Sequence, residues 1–562
     1  MGLKIVVIGG VAAGATAAVK ARRMDETAEI TILEKNNYVS FANCGMPYYI
    51  GDTIRSRNSL IFHNAKSFKQ RFNINVYTKT EARSIDPDKK LVYAIKDGEE
   101  ITFKYDKLIL CNGAKTVLPP IEGINSVRYH TLRSIEDMDG IKETIKSSKV
   151  KTATIIGAGF IGVEIAEALH NLGIDVKMVE ATPFILPMLS PEVSLKIYEE
   201  MTKAGIEILT SCKIIKADSN HDGKIILTDN NNNSFTTELL IIATGVKPDT
   251  DLAKTAGIKI GVSGGIEVNC FMETSVKDIY AAGDITEKIN LITGKKTLAP
   301  LAGPANREGR VAGSNAVGFK KEYKGTLKTA IVSFGKACCA QTGLSYEEAI
   351  KEGFDPHVVY TEDPDHVTYY PGAKYIFLKL IFDKKDGRIL GAQASGEEGV
   401  ARRIDVLATA IYNKMTVYDL EDLDLSYSPP YGAAKDPVNI SGYVASNLLR
   451  CEVKAVTPEE FLNIFQNNQD LQILDVRSQI EYKTYKVKNS INIYVNNLRE
   501  YIDQLNKNLP VYIYCTSGYR SYLAAKILSQ YGFEAYNILG GIEAIVRFNK
   551  IKKLEVIDGS NS

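Results

Sequence analysis

The 562-residue chain contains no tryptophan and only six histidines, and none of its eight cysteines forms a C-x-x-C pair. This pattern argues against a zinc site and against a disulfide framework. No apolar run approaches the roughly 20 residues that a membrane-spanning helix requires. A formal net charge of +1 gives no electrostatic basis for binding nucleic acid or a membrane surface. We therefore expect a cytoplasmic protein without a metal, in which most cysteines are small buried residues.

Two segments of the chain share one design. Residues 4–34 and residues 152–180 each predict a strand, a glycine-rich turn, a helix and a second strand that ends in an acidic residue. A duplicated unit of this kind is typical of two dinucleotide sites, each on its own doubly wound parallel sheet. A chain of this length also exceeds what one core can hold, so we expect three or four domains.

The first glycine turn contains Gly9, Gly10 and Gly14, with Val11 at the usual position of the middle glycine. Gly9 permits the tight turn, and Gly14 allows the helix to pack against the strand. A pyrophosphate then binds at the helix N-terminus, where free N–H groups favour anions. Glu34 ends the second strand and is placed to accept hydrogen bonds from a ribose.

The second turn is a complete G-x-G-x-x-G motif formed by Gly157, Gly159 and Gly162, with Glu180 at the acidic position. One such motif alone is weak, because it is also compatible with a structural turn. Two of them, each between an apolar strand and a helix, favour nucleotide binding. Asp284 follows another apolar strand and suits a flavin ribityl chain, although a turn or N-cap aspartate is the structural alternative.

Cys44 is the cysteine in the most unusual local context, within Ser40-Phe41-Ala42-Asn43-Cys44-Gly45. It follows the first dinucleotide unit at a distance that brings it near a bound flavin. No second cysteine follows closely, so an intrachain redox disulfide is absent. Disulfide exchange at Cys44 therefore requires one protein thiolate and a sulfur from the substrate.

Over residues 1–445 the chain resembles the single-cysteine branch of the pyridine nucleotide–disulfide oxidoreductases. Within that branch it is most similar to the coenzyme A disulfide reductases, especially the persulfide-reducing forms with a fused rhodanese domain. The resemblance rests on the motif around Cys44, on both glycine fingerprints and on three further motifs, namely Tyr369-Tyr370-Pro371-Gly372, Tyr427-Ser428-Pro429-Pro430-Tyr431 and Lys435-Asp436-Pro437.

The resemblance implies a homodimer that binds FAD and uses NADH or NADPH, with NADH favoured because Glu180 repels a 2′-phosphate. It implies that Cys44 forms a mixed disulfide with coenzyme A, and that Tyr369 and Tyr427 of the partner subunit lie near the substrate sulfur. A phenol is chemically able to protonate a leaving thiolate. Relatives of the glutathione reductase type use a His–Glu pair there, and no such pair is found in residues 325–445. Tyr370 and Tyr431 are interpreted as interface anchors.

The coenzyme A contacts of the family correspond to a set of polar residues, namely Thr16, Lys20, Arg23, Ser40, Asn43 and Lys435. Their cations suit phosphates, and the alternative for each is an ordinary solvated helix face. Two other contacts in the family, a lysine and a histidine, are Phe72 and Asn306 here.

The C-terminal segment predicts a second sulfur site. Strand 511–514 runs directly into Cys515-Thr516-Ser517-Gly518-Tyr519-Arg520 and then into a helix. A cysteine in a loop that opens a helix is surrounded by backbone N–H groups, which lower the pKa of a thiol and stabilise a persulfide anion. The loop resembles the rhodanese active site, with Cys515 and Arg520 as its functional residues. A phosphatase-like or inactive homologue is the alternative.

The expected fold is α/β, with two Rossmann-like dinucleotide-binding domains and an α/β dimerisation domain, followed by a C-terminal rhodanese-like α/β domain. The predicted boundaries are 1–118 and 246–324 for the FAD-binding domain, 119–245 for the NAD(P)-binding domain, 325–446 for the dimerisation domain, 447–456 for a linker and 457–552 for the rhodanese-like domain. Thr457-Pro458-Glu459-Glu460 predicts the start of a helix.

Two rival functions remain open at this stage. An NADH oxidase or peroxidase would cycle Cys44 through a sulfenic acid, but the peroxidase branch has a histidine in the first glycine turn and this chain has none there. A sulfur carrier or redox sensor would use the flavin part only to recycle Cys515 for a partner protein. The favoured function is a flavoprotein that reduces coenzyme A disulfide, persulfide or polysulfide.

Overall fold

The computed structural model describes residues 2–220, 222–468 and 470–559. The chain divides into two compact units. The first unit contains residues through Leu186 together with Thr202–Lys328, and the second contains Pro187–Met201 and the residues from Thr329 onward. Within the described ranges, no helix is both long enough and apolar enough to cross a bilayer.

The first sheet of the first unit consists of five parallel strands. Its strands are nearly continuous apolar runs, as expected for a parallel sheet covered on both faces, and their side chains form one core with the adjoining helices. In spatial order the strands are Ile279–Ala281, Lys107–Leu110, Lys4–Ile8, Glu29–Leu33 and Asn75–Tyr77. The helices of this region are Ala12–Met24, Met46–Ile50, Ala65–Phe72, Asp251–Thr255 and Ala302–Ala316.

A second parallel sheet of five strands repeats this arrangement. Its strands, in spatial order, are Glu207–Leu209, Asp175–Val179, Thr152–Ile156, Leu239–Ile242 and Tyr129–His130. Its helices include Ile135–Ser148 and Phe160–Asn171. In both sheets the strand before the glycine turn is central, so the turn emerges at the carboxyl edge where ligands bind in such folds.

Small antiparallel sheets complete the first unit. Two of them have three strands each, namely Thr80–Asp86, Leu91–Lys96 and Glu99–Lys104, and Ile214–Ser219, Ile225–Asp229 and Ser234–Thr237. Two strand pairs add to these, namely Ala114–Thr116 with Val246–Pro248, and Lys288–Ile289 with Lys296–Thr297.

The second unit begins with an antiparallel sheet of five strands. Its strands, in spatial order, are Ala330–Phe334, Ala337–Gly343, Ile389–Gly396, Tyr375–Asp383 and Pro356–Pro364. The helices of this region are Tyr346–Lys351, Val400–Tyr412, Val417–Glu421 and Pro437–Leu449. A further helix, Pro191–Lys203, belongs to this unit through Met201.

The C-terminal part of the second unit contains another parallel sheet with its own core. Its strands, in spatial order, are Lys454–Val456, Ala535–Ile538, Val511–Tyr514, Gln472–Asp475 and Ile491–Asn492. A strand pair, Tyr485–Val487 with Ile557–Gly559, lies beside the sheet. The helices are Pro458–Asn467, Gln479–Thr484, Tyr519–Gln530 and Gly541–Lys552.

The first helix of this part begins where its sequence predicted. Thr457 and Glu460 form a reciprocal capping box, in which Glu460 N–H donates to Thr457 Oγ1 at 3.1 Å and Thr457 N–H donates to Glu460 Oε2 at 2.7 Å. Pro458 occupies the first turn, where its missing N–H costs nothing. The predicted helix start is confirmed.

Candidate active site

The first glycine turn is closed by backbone contacts that exclude side chains. Gly9 has φ 93°, and a Cβ on it would lie 2.3 Å from the carbonyl oxygen of Cys111. A Cβ on Gly14 would lie 1.8 Å from the carbonyl oxygen of Gly9. Larger residues at these positions would therefore force the strand and helix apart, as the motif predicts.

Glu34 supports this turn directly. Its buried carboxylate accepts hydrogen bonds from Gly10 N–H and Asn36 N–H, both at 2.9 Å. Burial raises the pKa of Glu34, and these bonds offset part of that effect. A carboxylate has lone pairs beyond these two contacts, so the predicted ribose contact remains chemically available.

The second turn has the same construction. Ala158 N–H donates to Glu180 Oε2, and Thr182 N–H donates to Glu180 Oε1, both at 2.8 Å. Cβ atoms on Gly157 and Gly162 would meet backbone atoms at 2.5 and 2.1 Å, whereas a Cβ on Gly159 would meet nothing within 4 Å. The middle glycine therefore faces open space.

Both turns lead into helices whose N-termini suit an anion. In the described residues, no side chain caps the N-terminus of helix Ala12–Met24 or of helix Phe160–Asn171, and neither has an acidic residue in its first turn. Uncapped N–H groups at a helix N-terminus favour phosphate. Together with the open space at Gly159, this arrangement fits the pyrophosphates of two dinucleotides.

Asp284 lies beyond strand Ile279–Ala281, on a turn that a buried ion pair supports. Gly283 N–H donates to Glu308 Oε2 at 2.8 Å, and Lys288 Nζ lies 3.4 Å from the same oxygen. Both side chains of the pair are at most 1% exposed. Asp284 itself lies 3.6 Å from Arg133 Nη2. Glu308 and Lys288 could not be found from the sequence, because their role depends on tertiary contacts.

Cys44 lies in the single-turn 3-10 helix Asn43–Gly45 and is exposed. The side-chain amide of Asn43 donates to the carbonyl oxygen of Arg133 at 3.2 Å, which ties this segment to the residue beside Asp284. The structure therefore brings Asn43 and the Asp284 region together through Arg133.

The surroundings of Cys44 disfavour its thiolate. Desolvation raises the pKa of Cys44, and the negative charges of Glu164 and Asp284 raise it further. Burial raises the pKa of Glu164 itself to about 7, and Tyr48 OH donates to Glu164 Oε1 at 3.5 Å. The chain's own residues thus raise the pKa of Cys44, and thiolate formation is favoured by positively charged or hydrogen-bonding groups that bind beside it.

A pocket of about 230 Å³ is lined by four of the six predicted substrate residues. They are Thr16, Lys20, Arg23 and Ser40. Asn43 is not among the residues that line this pocket, and Lys435 is an exposed residue of the second unit. We call this feature the cationic pocket.

The cationic pocket also contains residues that the sequence did not indicate, namely His63, Phe68 and Arg310. Phe72, the departure from the family lysine, lines it as well. Burial lowers the pKa of Lys20, and the nearby charges of Arg310, Lys321 and Arg23 lower it further. Asn306, the second departure, accepts a hydrogen bond from Thr16 Oγ1 at 2.7 Å.

Close helix packing explains how Arg310 reaches the pocket. Cβ atoms on Gly309 and Gly313 would each lie 2.2 Å from backbone oxygens of helix Ala12–Met24, so only glycine permits this approach. The approach sets Arg310 opposite Lys20 and Arg23. The G-x-x-x-G spacing in helix Ala302–Ala316 was the sequence signal that could have found it.

The predicted tyrosines meet in the second unit. The hydroxyls of Tyr369 and Tyr427 lie 3.1 Å apart, and this hydrogen bond raises the pKa of Tyr369. The loop of Tyr369 also holds a histidine–carboxylate pair, with His366 Nδ1 3.0 Å from Asp365 Oδ1. The hydrogen bond that the His366 ring donates to Asp365 raises the pKa of His366. This is a histidine–aspartate pair of neighbouring residues, so it differs from the His–Glu pair of the glutathione reductase relatives.

Cys515 is 1% exposed and lies between strand Val511–Tyr514 and helix Tyr519–Gln530. Its Sγ accepts a hydrogen bond from Gly518 N–H at 3.1 Å and from Ser521 Oγ at 3.4 Å. Donors of this kind stabilise a sulfur anion. Ile542 N–H, at the start of the last helix, donates to the carbonyl oxygen of Cys515 at 2.8 Å and fixes the loop from its other side.

Arg520 is engaged by a residue that the sequence did not single out. Glu481 accepts hydrogen bonds from Arg520 Nη1 at 2.9 Å and from Nη2 at 2.6 Å, and Thr516 Oγ1 joins the group. The contact with Arg520 is the main reason that the pKa of Glu481 is lowered. The carboxylate therefore stays ionised across the neutral range.

Comparisons with known families match three regions of the chain. The pyridine nucleotide-disulphide oxidoreductase model matches residues 3–302, and the dimerisation domain of that family matches residues 329–436. A rhodanese-like domain matches residues 457–547. The α/β fold expected from the sequence, with its dimerisation and rhodanese-like domains, is confirmed.

Curated proteins of similar sequence align with this chain over most of its length and over nearly all of their own. A Methanocaldococcus jannaschii protein named NADH oxidase is 34% identical over 78% of this chain and 98% of its own length. The coenzyme A disulfide reductase of Staphylococcus haemolyticus is 32% identical over 79% of this chain and 100% of its own.

Two solved structures extend the similarity through the C-terminal domain. The reduced Bacillus anthracis CoADR-RHD shares 38% identity, with a TM-score of 0.94 over 98% of this chain and 99% of its own. The NAD-dependent persulfide reductase from A. fulgidus shares 38% identity, with a TM-score of 0.91 over 96% of this chain and 100% of its own. This chain belongs to the pyridine nucleotide-disulphide oxidoreductase family.

Proposed function

We propose that the chain is an FAD-dependent NAD(P)H oxidoreductase that reduces the disulfide or persulfide of coenzyme A through Cys44. The observation that carries this proposal is the cationic pocket, where Lys20, Arg23 and Arg310 converge and no lining residue is acidic. Converging cations repel one another unless an anion binds among them, and arginine binds phosphate in a bidentate manner. Coenzyme A carries its phosphates at one end and its sulfur at the other.

Ser40 links the cationic pocket to the segment of chain that carries Cys44. Ser40 lines the pocket four residues before Cys44 and has φ 51°, a conformation that serine rarely adopts. Strained residues of this kind tend to lie at ligand sites. His63, Phe68 and Phe72 pack with ring centroids 5.4 to 5.9 Å apart and offer an apolar wall to a nucleotide or a pantetheine arm.

The chemistry at Cys44 is thiol–disulfide exchange. The Cys44 thiolate attacks one sulfur of the disulfide, the sulfur–sulfur bond breaks, and one coenzyme A thiolate leaves. The product on the protein is a mixed disulfide between Cys44 and the second coenzyme A. With a persulfide substrate, the same attack on the inner sulfur releases hydrosulfide as the leaving group.

The first glycine turn with Glu34 and Asp284 would hold FAD, and the second turn with Glu180 would hold the nicotinamide nucleotide. When bound, these groups supply the two electrons that return the mixed disulfide to two thiols. The chain contributes the two uncapped helix N-termini, the carboxylates and the placement of Cys44.

Tyr369 and Tyr427 would protonate the leaving thiolate. A phenol is chemically able to protonate a leaving thiolate, and the two hydroxyls lie 3.1 Å apart, close enough to act at one sulfur. We propose a homodimer in which this pair serves the substrate bound at Cys44 of the other copy. The matched dimerisation domain supports that arrangement.

Cys515 would accept sulfane sulfur. Its thiolate attacks the outer sulfur of a persulfide, the donor leaves as a thiolate, and Cys515 keeps the sulfur as its own persulfide. The N–H of Gly518 supports a charged sulfur at that position. All eight cysteines are free, which supports a reducing compartment, and we propose the cytoplasm.

Mass spectrometry of the purified protein tests this function. We expect an adduct on Cys44 with the mass of coenzyme A, released by NADH. In parallel, Lys20→Ala and Arg310→Ala should raise KM for coenzyme A disulfide but not for cystine, which lacks phosphates. Equal effects on both disulfides would reject coenzyme A as the substrate.

The relative named NADH oxidase favours one rival, in which Cys44 becomes a sulfenic acid and oxygen is the acceptor. Oxygen consumption with NADH and no thiol distinguishes the two functions. A rate equal to or above that of disulfide turnover would favour the oxidase. We expect a much lower oxygen rate that is unaffected by Arg310→Ala.

A further inference from the structure

The tyrosine pair is formed by two separate loops of the second unit. Tyr369 lies between strands Pro356–Pro364 and Tyr375–Asp383, and Tyr427 lies between helices Val417–Glu421 and Pro437–Leu449. Tyr369 is 74% exposed and Tyr427 is 48% exposed. A single hydrogen bond between exposed hydroxyls competes with water and cannot hold two loops in register.

Two consecutive arginines hold these loops from the helix that follows the sheet. Arg403 is 2% exposed, and its Nη2 contacts Asp436 Oδ2 at 2.8 Å and the carbonyl oxygen of Asp365 at 2.6 Å. Asp436 also caps helix Pro437–Leu449 by accepting from Val438 N–H at 3.1 Å. Arg403 thus anchors the base of both loops and is part of the core.

Arg402 acts closer to the tyrosines. Its Nη1 donates to the carbonyl oxygen of Tyr431 at 2.5 Å, and its Nη2 donates to the carbonyl oxygen of Ser426 at 2.9 Å. Ser426 directly precedes Tyr427, and Tyr431 closes the same turn through its N–H bond to Ser428 O at 2.8 Å. One guanidinium therefore fixes both ends of the six-residue segment 426–431 that carries Tyr427.

A backbone contact joins this turn to the other loop. Val367 N–H donates to Gly432 O at 3.1 Å, one residue beyond the carbonyl that Arg402 holds.

The location of Arg402 in the first turn of helix Val400–Tyr412 does not stabilise that helix, because a positive charge near a helix N-terminus is repelled by the helix dipole. Its side chain is one-third exposed, so burial does not explain its presence.

We propose that Arg402 is a positioning residue that sets the turn of Tyr427 so that its hydroxyl meets that of Tyr369. The role of the tyrosines belongs to the proposed function, on which this inference rests. Arg402 does not touch the reacting sulfur. Its short contacts are with the Tyr427 turn, and its Nη2 also lies 3.7 Å from Asp436 Oδ2, which Arg403 holds at 2.8 Å. Two backbone carbonyls at fixed spacing suit the planar fork of an arginine and not the single point of a lysine.

Arg402→Met keeps the length of the side chain and removes its donors. We expect kcat for coenzyme A disulfide to fall roughly 10-fold, which is part of the roughly 100- to 10,000-fold that a well-placed proton donor contributes. The rate of flavin reduction by NADH and KM for NADH should stay unchanged, since both belong to the first unit. Arg402→Lys should recover part of kcat. The matched control is Arg450→Met in the same unit, whose guanidinium contacts Glu421 at 2.8 Å and neither loop, and which should leave kcat unchanged.

A double-mutant cycle separates positioning from a general structural role. In a Tyr427→Phe background, Arg402→Met should lower kcat no further. An undiminished loss in that background, or no loss in the single variant, overturns the inference while leaving the proposed function intact. If Tyr427→Phe alone has full activity, the tyrosine role fails and the inference fails with it. If Arg402→Met does not fold, the same cycle with Arg402→Lys decides the question.

Discussion

Glu481 and Arg520 form a two-point ion pair beside Cys515, with N–O distances of 2.6 and 2.9 Å. They lie 39 residues apart, on helix Gln479–Thr484 and at the start of helix Tyr519–Gln530. Thr516, the residue after Cys515, bonds to both partners. The pair therefore clamps the cysteine loop from one side, while Ile542 N–H holds it from the other.

Glu481→Gln should impair sulfur transfer at Cys515 without unfolding the domain. The amide keeps the shape of the carboxylate but removes its charge, so Arg520 loses its fixed position. We expect sulfur uptake by Cys515 to fall roughly 10-fold, whereas stability changes by about 1 kcal/mol or less, as for other partly exposed pairs. Persulfide labelling of Cys515 and thermal unfolding measure the two effects. Unchanged uptake would mean that Arg520 does not need Glu481.

Cys515→Ala should divide the two activities of the chain. Coenzyme A disulfide reduction needs only Cys44 and is expected to persist at the full rate. Sulfide release from bulky or protein persulfides should drop, because these donors need a second thiolate to accept their sulfur, and covalent fusion raises the effective concentration of that thiolate. If neither reaction changes, the C-terminal domain is a bystander.

NADH should be used at least as well as NADPH. Glu180 supports the second glycine turn and carries a negative charge at the end of the strand, where it repels a 2′-phosphate. Glu180→Gln should reduce the NADH preference by about 10-fold, as expected for the loss of one charge contact. Glu34→Gln, the same substitution at the first turn, is the matched control and should leave the ratio of the two kcat/KM values unchanged. A strong NADPH preference in the unaltered enzyme contradicts this role.

Glu164→Gln should make Cys44 reactive at lower pH. The negative charge of Glu164 raises the pKa of Cys44, so its removal lowers that pKa. Burial raises the pKa of Glu164 to about 7, so the carboxyl is charged above that pH and neutral below it. The difference between variant and unaltered protein should therefore be present above pH 7 and vanish below it. The rate of Cys44 alkylation by iodoacetamide, measured as a function of pH, tests this. Identical rates for the variant and the unaltered protein at pH 8 would rule out an effect of the Glu164 charge on Cys44.

The glycine turns could be predicted from the sequence, and Cys44 and Cys515 could be identified as candidate site residues, because the signals in each case are local. A tight turn before a helix needs glycine within a few residues, and the structure excludes any side chain at Gly9, Gly14, Gly157 and Gly162. The prediction that Glu34 and Glu180 contact ribose missed their other role, in which both accept backbone N–H groups of the turn. That role becomes visible only in the folded structure, where the second strand pairs with the first and brings the glutamate at its end next to the glycine turn.

The remaining features depend on contacts between distant residues. Arg310 joins Lys20 in the cationic pocket although 290 positions separate them, and only the spacing of Gly309 and Gly313 indicated a close helix approach. Glu481 finds Arg520 through the packing of two helices. Arg402 has no local signature, because the carbonyl oxygens that it binds are present in any sequence and its carboxylate partner, Asp436, is distant along the chain.

The most direct test of the whole account is the turnover of coenzyme A disulfide by Cys44→Ser. Cys44 is exposed on its short helix, so serine should be accommodated and FAD should remain bound. The account predicts that electron transfer from NADH to an artificial dye continues while disulfide reduction is lost and no coenzyme A adduct forms. Full disulfide turnover by this variant would contradict the central role of Cys44.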